Sequence, residues 1–272
     1  MNILDEIIAS KHLEVEENKS LYPIKLLERS IFFKTETVSL KKYLLDKNLS
    51  GILAEFKRKS PSKGVINAYA SIENTTIGYM QSGASALSIL TDANYFGGSN
   101  KDLTEARHFN YCPILRKDFI VDEYQIIEAK SIGADAILLI AAVLTKNQIS
   151  TFSALAKTLG LEIILEIHEE SELEKADVTA HHIGINNRNL KNFEVNFEHS
   201  IRLASQLPDS AIKIAESGIN APEDIVILKK HGFNGFLIGE HFMKESRPEK
   251  ASKKFITRLQ QLEQKEEHFQ VK

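Results

Sequence analysis

Short apolar runs alternate along the chain with longer segments in which apolar residues recur every three or four positions. The short runs are rich in Ile, Leu and Val, and each precedes a helical pattern, which is typical of βα units on a parallel sheet. The runs predict these strands: Gly51–Lys57, Ala86–Thr91, Pro113–Lys117, Ala136–Ala141, Glu162–Ile167, His182–Asn186, Ile212–Glu216 and Gly235–Gly239.

The segments between the strands predict amphipathic helices. Glu123–Ile132 and Pro222–Lys230 each carry one apolar stripe at helical spacing. Asn220 is placed to cap the start of the second helix, and Gly232 follows its last turn. A helix pattern therefore follows each predicted strand before the next strand begins, although the lengths of the segments vary.

This alternation favours a closed barrel over an open doubly wound sheet. We expect an α/β protein with a single (β/α)8 barrel over residues 51–265, forming one domain. Residues 1–50 do not follow the rhythm and carry helical stripes, so they predict an N-terminal helical extension packed on the barrel. The polar stretch Gln260–Lys272 predicts a fraying helix end.

Composition and charge limit the classes of function. The chain has 272 residues, 43% of them hydrophobic, so its core needs no disulfide or metal for stability. The formal net charge of −3 argues against nucleic acid as a partner. The longest apolar run, Ala136–Leu144, is well short of the ~18 residues of a membrane helix. We expect a cytoplasmic protein with no membrane partner, a small-molecule substrate and a monomeric or weakly homo-oligomeric state.

Charged and amide side chains stand at the ends of several predicted strands. Glu55 and Lys57 share one face of the first strand, and that face should be the barrel interior. A structural ion pair is one explanation of these two residues. Further strand ends carry Lys117, Glu166, Asn186 with Arg188, and Glu216. Because the carboxyl ends of barrel strands meet at one mouth, the pattern predicts a shared active site.

Two later loops predict an anion site. Ser217-Gly218 follows the seventh strand and Gly239-Glu240 follows the eighth, where barrels commonly bind phosphate through backbone N–H groups. An ordinary turn is the alternative explanation of each glycine. The histidines show no metal-ligand spacing, so we expect no metal site.

The first-strand segment Glu55-Phe56-Lys57-Arg58-Lys59-Ser60-Pro61-Ser62 resembles the signature of the indole-3-glycerol-phosphate synthase family. The resemblance spans nearly the whole chain. Further matching segments are Tyr95-Phe96-Gly97-Gly98-Ser99, Leu115-Arg116-Lys117-Asp118-Phe119, Glu166 before His168, Ile185-Asn186-Asn187-Arg188-Asn189-Leu190, Ala215-Glu216-Ser217-Gly218-Ile219 and Leu237-Ile238-Gly239-Glu240.

The resemblance implies a carboxy-lyase of tryptophan biosynthesis that uses neither cofactor nor metal. Its reaction converts 1-(2-carboxyphenylamino)-1-deoxyribulose 5-phosphate to indole-3-glycerol phosphate, with release of CO₂ and water. Ring closure needs a proton donor at the substrate's carbonyl oxygen, and the resemblance gives this role to Lys117. Lys57 remains an alternative acid for the second step. Glu166 is the matching base for dehydration.

The resemblance also implies the remaining site residues. Glu55, Asn186, Arg188 and Glu216 would orient the lysines and the substrate hydroxyls. The residues expected to hold anionic ends are Ser60, Ser217, Gly218, Gly239 and the backbone of Glu240. Because a carboxylate repels phosphate, the Glu240 side chain is expected to turn away. The expected apolar pocket for the aromatic ring comprises Phe96, Phe119, Leu138, Leu190 and Leu237.

Two other functions fit parts of the pattern. A class I aldolase would use Lys57 or Lys117 as a Schiff-base nucleophile. A catalytically inactive barrel could serve as a binding subunit, although a scaffold gains nothing from costly charges in its mouth.

Overall fold

Eight parallel strands form a closed barrel in the computed structural model, which describes residues 3–176, 182–188 and 194–270. In chain order they are β1 Ile52–Phe56, β2 Ala86–Leu90, β3 Ile114–Lys117, β4 Ala136–Ile140, β5 Glu162–Ile167, β6 His182–Asn186, β7 Ile212–Glu216 and β8 Phe233–Ile238. Each strand pairs with its neighbours in sequence, and β1 pairs with β8 to close the barrel, with Ile52 opposite Phe236. The predicted (β/α)8 barrel is confirmed.

Helices surround the barrel between successive strands. The longer ones are Ile72–Gln81, Asn100–Phe109, Glu123–Ile132, Lys146–Thr158, Phe197–Ser205, Pro222–Lys230 and the C-terminal Pro248–Gln270. Shorter segments are the helices Leu173–Ala176 and Glu240–Met243 and the 3-10 turn Glu170–Glu172. Of the described helices, none is both long and apolar enough to cross a membrane.

The start of Pro222–Lys230 differs in detail from the sequence prediction. Ala221 occupies the N-cap position, and Asp224 accepts hydrogen bonds from the backbone N–H groups of Asn220 and Ala221, each at 2.9 Å. Asn220 instead donates from its side chain to the carbonyl of Gly218 at 2.9 Å. The predicted cap by Asn220 is therefore wrong, because a carboxylate one turn into the helix takes that role.

The barrel strands are buried on both faces, as expected for parallel strands covered by helices. Side chains that point outward, such as Ala54 and Ile89, pack under the helices. Side chains that point inward, such as Leu53, Leu115 and Ile214, fill the barrel axis. Apolar side chains therefore fill the middle of the barrel, and charged side chains follow them towards the mouth.

The N-terminal segment forms helix α1, Ile3–Leu21, followed by Ile24–Leu27, the 3-10 turn Ile31–Lys34 and the helix Leu40–Leu44. Leu40 and Leu44 pack into the inner core with the barrel side chains. Helix α1 buries Ile7, Lys11 and Val15 along one face. The extension therefore joins the barrel by a buried face that includes one charged side chain.

Candidate active site

Charged side chains form the top layer of the barrel interior. Side chains two residues apart along a strand share one face, so the last inner core residue of a strand is followed by a side chain at the mouth. Leu53, Leu115, Ile164 and Ile214 belong to the inner core. The residues two positions later are Glu55, Lys117, Glu166 and Glu216. The strand alternation thus brings the predicted carboxylates and lysine to one level.

Lys117 joins two of these carboxylates. Its Nζ lies 2.6 Å from Glu216 Oε2 and 3.0 Å from Glu166 Oε2. Burial by itself would lower the pKa of Lys117, but Glu166 and Glu216 outweigh burial, and the net pKa is raised. Lys117 is therefore an ammonium ion.

The two carboxylates differ although they share this cation. Burial raises the pKa of Glu216 to about 7, against the attraction of Lys117. Burial acts on Glu166 in the same sense, but Lys117, His168 and Asn186 overcome it, so its pKa is lowered. The pair titrates as one coupled system in which Glu166 holds the charge more firmly.

Glu166 Oε1 has two further neighbours. Asn186 donates to it from Nδ2 at 2.9 Å, and His168 Nε2 lies 3.0 Å away. On the far side of this imidazole, Nδ1 is 3.9 Å from Glu172 Oε2. Burial would lower the pKa of His168, but the hydrogen bond and charge of Glu166 raise it. Sequence reasoning gave no role to any histidine, although His168 follows Glu166 by two residues and so shares its face.

Lys57 pairs with a separate carboxylate. Its Nζ lies 2.7 Å from Glu55 Oε1. Gly239, at the end of β8, faces this pair, and a Cβ there would come within 2.3 Å of Glu55 Oε1. A side chain at position 239 would therefore displace Glu55. Glu55 and Lys57 therefore form the ion pair that the sequence suggested, and both residues line the cavity at the barrel mouth.

A cavity of about 420 Å³ opens above these charges. It is lined by every sequence-predicted site residue that the structure describes: Glu55, Lys57, Ser60, Phe96, Lys117, Phe119, Leu138, Glu166, Asn186, Arg188, Glu216, Ser217, Gly218, Leu237, Gly239 and Glu240. Leu190, the remaining predicted residue, lies outside the described residues.

One side of the cavity is apolar. The Phe96 and Phe119 rings lie with centroids 5.9 Å apart. Helix α1 adds Ile3, Leu4 and Ile7 to the same cavity. The sequence pattern indicated that these residues form a helical stripe, but it did not indicate that the stripe faces the mouth.

The opposite side carries the turns after β7 and β8. Ser217 has a φ of 68° and is the one non-glycine residue with positive φ among those described; Gly218 follows at 75°. Such a conformation costs a residue with a Cβ about 1–3 kcal/mol and is concentrated at functional sites. A Cβ on Gly218 would also meet Val195 at 2.3 Å, so this tight turn requires glycine.

Glu240 does not turn away from the site. Its carboxylate lies 3.4 Å from Arg188 and 3.9 Å from Lys63 across the mouth. Arg188 also donates to Ser62 Oγ at 3.3 Å. The carboxylate thus pairs with two cations at the rim, which removes the repulsion that motivated the sequence expectation.

Four buried polar atoms of residues that line the cavity make no hydrogen bond to any part of the chain that the structure describes. They are Ser60 Oγ, Arg188 Nε, Glu216 Oε1 and His241 Nδ1. Buried polar atoms are nearly always satisfied by protein or water. Two donors, one acceptor and one imidazole nitrogen around one cavity are therefore available to a bound polar molecule.

Comparisons with known proteins match this arrangement to one family. The family model described as indole-3-glycerol phosphate synthase matches residues 4–255. An indole-3-glycerol phosphate synthase from Bacteroides thetaiotaomicron is 48% identical over 259 residues, covering 95% of this chain and 99% of the relative. The enzyme of the same name from Campylobacter fetus subsp. fetus is 45% identical over 244 residues, covering 89% and 95%.

Solved structures match the fold at lower identity. The tryptophan synthase subunit alpha from Legionella pneumophila superposes with a TM-score of 0.59 at 13% identity, covering 82% of this chain and 97% of that chain. A thiamine phosphate pyrophosphorylase from Pyrococcus furiosus has a TM-score of 0.56 at 15% identity, covering 76% and 95%. Such likenesses support the barrel fold alone.

Proposed function

The chain belongs to the indole-3-glycerol phosphate synthase family, and we propose that the residues around its cavity carry out the family's ring closure, decarboxylation and dehydration. It is a carboxy-lyase acting on 1-(2-carboxyphenylamino)-1-deoxyribulose 5-phosphate. The observation that supports the assignment of the site is the contact of Lys117 with both Glu166 and Glu216 inside one cavity. This contact combines a proton donor and a carboxylate base at the same place.

Lys117 acts in ring closure. The ring carbon of the anthranilate attacks the substrate's carbonyl carbon, and negative charge develops on the carbonyl oxygen. An ammonium held between two carboxylates is fixed in position and protonated, so it can stabilise this charge and deliver a proton. Loss of CO₂ then returns the electron pair to the ring.

Glu166 acts in dehydration. The hydroxyl formed at the former carbonyl carbon leaves as water with a proton from a lysine, while Glu166 accepts the ring proton. The lowered pKa of Glu166 keeps it ionised and ready as a base. Its partners Lys117 and Asn186 hold the carboxylate in place before the proton is transferred. Lys57 is the second candidate donor of the proton to the departing hydroxyl.

The ends of the cavity match the ends of the substrate. The phosphate binds at the turns of Ser217-Gly218 and Gly239-Glu240, whose backbone comes close to the ligand. The Ser60 hydroxyl and the Arg188 Nε group make no hydrogen bond to the described residues, so they can donate to anionic oxygens. The aromatic ring packs against the apolar side of the cavity, beside Phe96 and Phe119.

The direct test is turnover of the named substrate. Purified protein is mixed with 1-(2-carboxyphenylamino)-1-deoxyribulose 5-phosphate, without added cofactor, and indole formation is followed by fluorescence. Product with CO₂ in equal amount is expected. Absence of both products from folded protein would refute the assigned reaction.

The role of Glu166 has its own test. Glu166→Gln keeps the size of the side chain but removes the base. In a single turnover, CO₂ release should proceed while indole fluorescence falls behind by about 10²-fold, the contribution typical of a general base. If both signals slow equally, Glu166 acts before dehydration, and the assignment is wrong.

The aldolase alternative makes a different demand on the lysine. A Schiff-base lysine must be a neutral amine, which requires a lowered pKa. The two carboxylates at Lys117 act in the opposite direction. Borohydride should therefore trap no covalent adduct at Lys117 during turnover, and a trapped adduct would favour the aldolase.

A further inference from the structure

Lys11 lies in the middle of the buried face of helix α1. Its side chain is only 1% exposed, and Ile7 and Val15 flank it one turn away on each side. A lysine is almost never fully buried unless its charge is paired. An apolar residue at this position would be the simplest way to pack the helix, so the ammonium calls for a specific explanation.

The ammonium of Lys11 contacts carboxylates from three parts of the chain. Its Nζ lies 2.9 Å from Glu14 Oε2, 2.9 Å from Asp92 Oδ2 and 3.0 Å from Asp118 Oδ1. Glu14 belongs to the same helix, whereas Asp92 lies after β2 and Asp118 lies after β3. We refer to Lys11, Glu14, Asp92 and Asp118 as the Lys11 cluster. It joins the N-terminal extension to two loops at the barrel mouth.

Each of the two aspartates organises the loop that follows it. Asp92 Oδ1 accepts hydrogen bonds from the backbone N–H groups of Tyr95 at 2.7 Å and Phe96 at 3.2 Å. Asp118 Oδ1 accepts from the N–H of Phe119 at 2.8 Å. Lys11 is therefore connected to the backbone of Phe96 through Asp92 and to the backbone of Phe119 through Asp118.

These two phenylalanines form part of the apolar wall of the cavity. Their ring centroids are 5.9 Å apart. The helix that carries Lys11 completes the wall with Ile3, Leu4 and Ile7. One buried ammonium thus connects the three segments that supply this wall, although Lys11 itself does not line the cavity.

We propose that Lys11 is a positioning residue that fixes the spacing of the Phe96 and Phe119 rings and so determines how well the substrate's aromatic ring is bound. The inference rests on the proposed function, because it assigns the aromatic end of the substrate to this wall. Lys11 touches no reacting atom, so its loss should weaken ring binding more than it slows the chemistry.

The test separates the two ends of the substrate. Lys11→Met keeps the length of the side chain and removes the charge. KM is expected to rise about tenfold, the lower end of what a poor fit costs in an apolar pocket, with a smaller change in kcat. Competitive inhibition by anthranilate, a probe of the aromatic end, should weaken by a similar factor. Inhibition by inorganic phosphate, a probe of the other end, should not change.

Two further variants supply the controls. Lys11→Arg restores a cation and should recover most of the wild-type KM. Lys19→Met removes the neighbouring ion pair of the same helix, Lys19 with Asp122 at 2.8 Å, and should leave KM unchanged. If Lys19→Met raises KM as much as Lys11→Met, the effect belongs to docking of the helix in general, and the inference fails.

Asp92→Asn covers the case in which Lys11→Met does not fold. It leaves Lys11 paired with Asp118 and Glu14 and keeps an oxygen for the N–H groups of Tyr95 and Phe96. A smaller rise in KM and a smaller weakening of anthranilate inhibition than in Lys11→Met are expected, because only one of the three charged partners of Lys11 is lost. Unchanged values in folded Asp92→Asn would overturn the inference. Failure of the wild-type protein to turn over the substrate would instead overturn the proposed function.

Discussion

Arg116, Lys117 and Asp118 are consecutive residues, yet they belong to two different groups of charges. Strand alternation sends Lys117 inward to Glu166 and Glu216, and we call these three residues the inner cluster. It sends Arg116 and Asp118 outward, where they form an outer cluster with Lys11, Asp92 and Glu128. One strand end therefore serves both the candidate site and the attachment of the N-terminal extension.

The outer cluster is sealed and well paired. Arg116 is 2% exposed and lies 2.6 Å from Glu128 and 3.2 Å from Asp118, and it donates to the backbone carbonyl of Gln125 at 2.8 Å. Burial would raise the pKa of Asp118, but Lys11 and Arg116 overcome it, so the pKa is lowered. These charges stabilise one another, and the side chains of Lys11, Arg116 and Asp118 are almost completely buried.

The inner cluster is crowded and incompletely paired. Two carboxylates share one lysine, Glu216 Oε1 accepts no hydrogen bond from the described residues, and the cavity reaches all three side chains. The comparison shows what separates a structural from a catalytic group of buried charges. The first is satisfied within the fold, and the second leaves capacity for a substrate.

The largest difference between the two clusters is expected for Lys117→Met. Removing the inner cation should lower kcat by about 10³-fold, since it removes the proposed acid. Glu166 and Glu216 can take up a proton instead of staying charged, which limits the damage to the fold. Steady-state kinetics and circular dichroism check the two parts. Near-normal turnover would contradict the acid role of Lys117.

Arg116→Met tests the adjacent residue in the outer cluster. It leaves Glu128 buried without its cation, so the free energy of unfolding should fall by about 3–5 kcal/mol. Turnover per folded molecule should keep most of its value, because Arg116 does not line the cavity. Urea denaturation and kinetics on the same preparation provide the measurement. A variant that loses turnover without losing stability would contradict the assignment of the outer cluster to structure and of the inner cluster to catalysis.

Strand alternation explains why much of the inner cluster could be predicted from sequence. Lys117, Glu166 and Glu216 stand at the ends of recognisable apolar runs, and the structure places them at one level of one barrel. The same rule could have identified His168, which lies two positions beyond Glu166. The rule is weaker at this position, because β5 ends at Ile167 and residues beyond a strand end need not continue its alternation.

The outer cluster could not be predicted in this way. Lys11, Asp92 and Asp118 lie far apart in the chain, and no local period encodes their contact. Asp118 directly follows a strand and Lys11 lies within a helix, so neither position by itself indicates their contact. Only the three-dimensional packing of α1 against the loops after β2 and β3 reveals that these charges neutralise one another.

His168→Asn probes the boundary of the inner cluster. It removes the imidazole 3.0 Å from Glu166 Oε1, so Glu166 loses a neighbour that stabilises its charge and its orientation. We expect kcat to fall about tenfold, the lower end for a hydrogen bond to a charged group. His231→Asn, on an exposed histidine at the end of Pro222–Lys230, is the matched control and should leave kcat unchanged. Equal kcat values for the two variants would remove His168 from the site.

The smallest expected effect is a pH dependence that has opposite signs for activity and stability. Burial raises the pKa of Glu216 to about 7 from its ordinary value of 4.5. Between these values the folded protein binds more protons than the unfolded chain, so this group's contribution to the free energy of unfolding falls as pH rises through the window. Activity should change in the other direction, because Lys117 needs the ionised partner.

The expected size follows from the same value. At pH 7 about half of Glu216 is protonated, so kcat/KM should be about half of its value at pH 8 and fall further below. Glu216→Gln lowers the overall rate but removes the titrating group, so the residual activity should not show this decrease in kcat/KM near pH 7. The outer cluster provides the contrast, because the lowered pKa of Asp118 makes its contribution to stability disappear only as pH falls below 3.8. If the decrease in kcat/KM near pH 7 persists in Glu216→Gln, another group titrates there. The incomplete pairing of Glu216 then does not determine the pH dependence of the inner cluster.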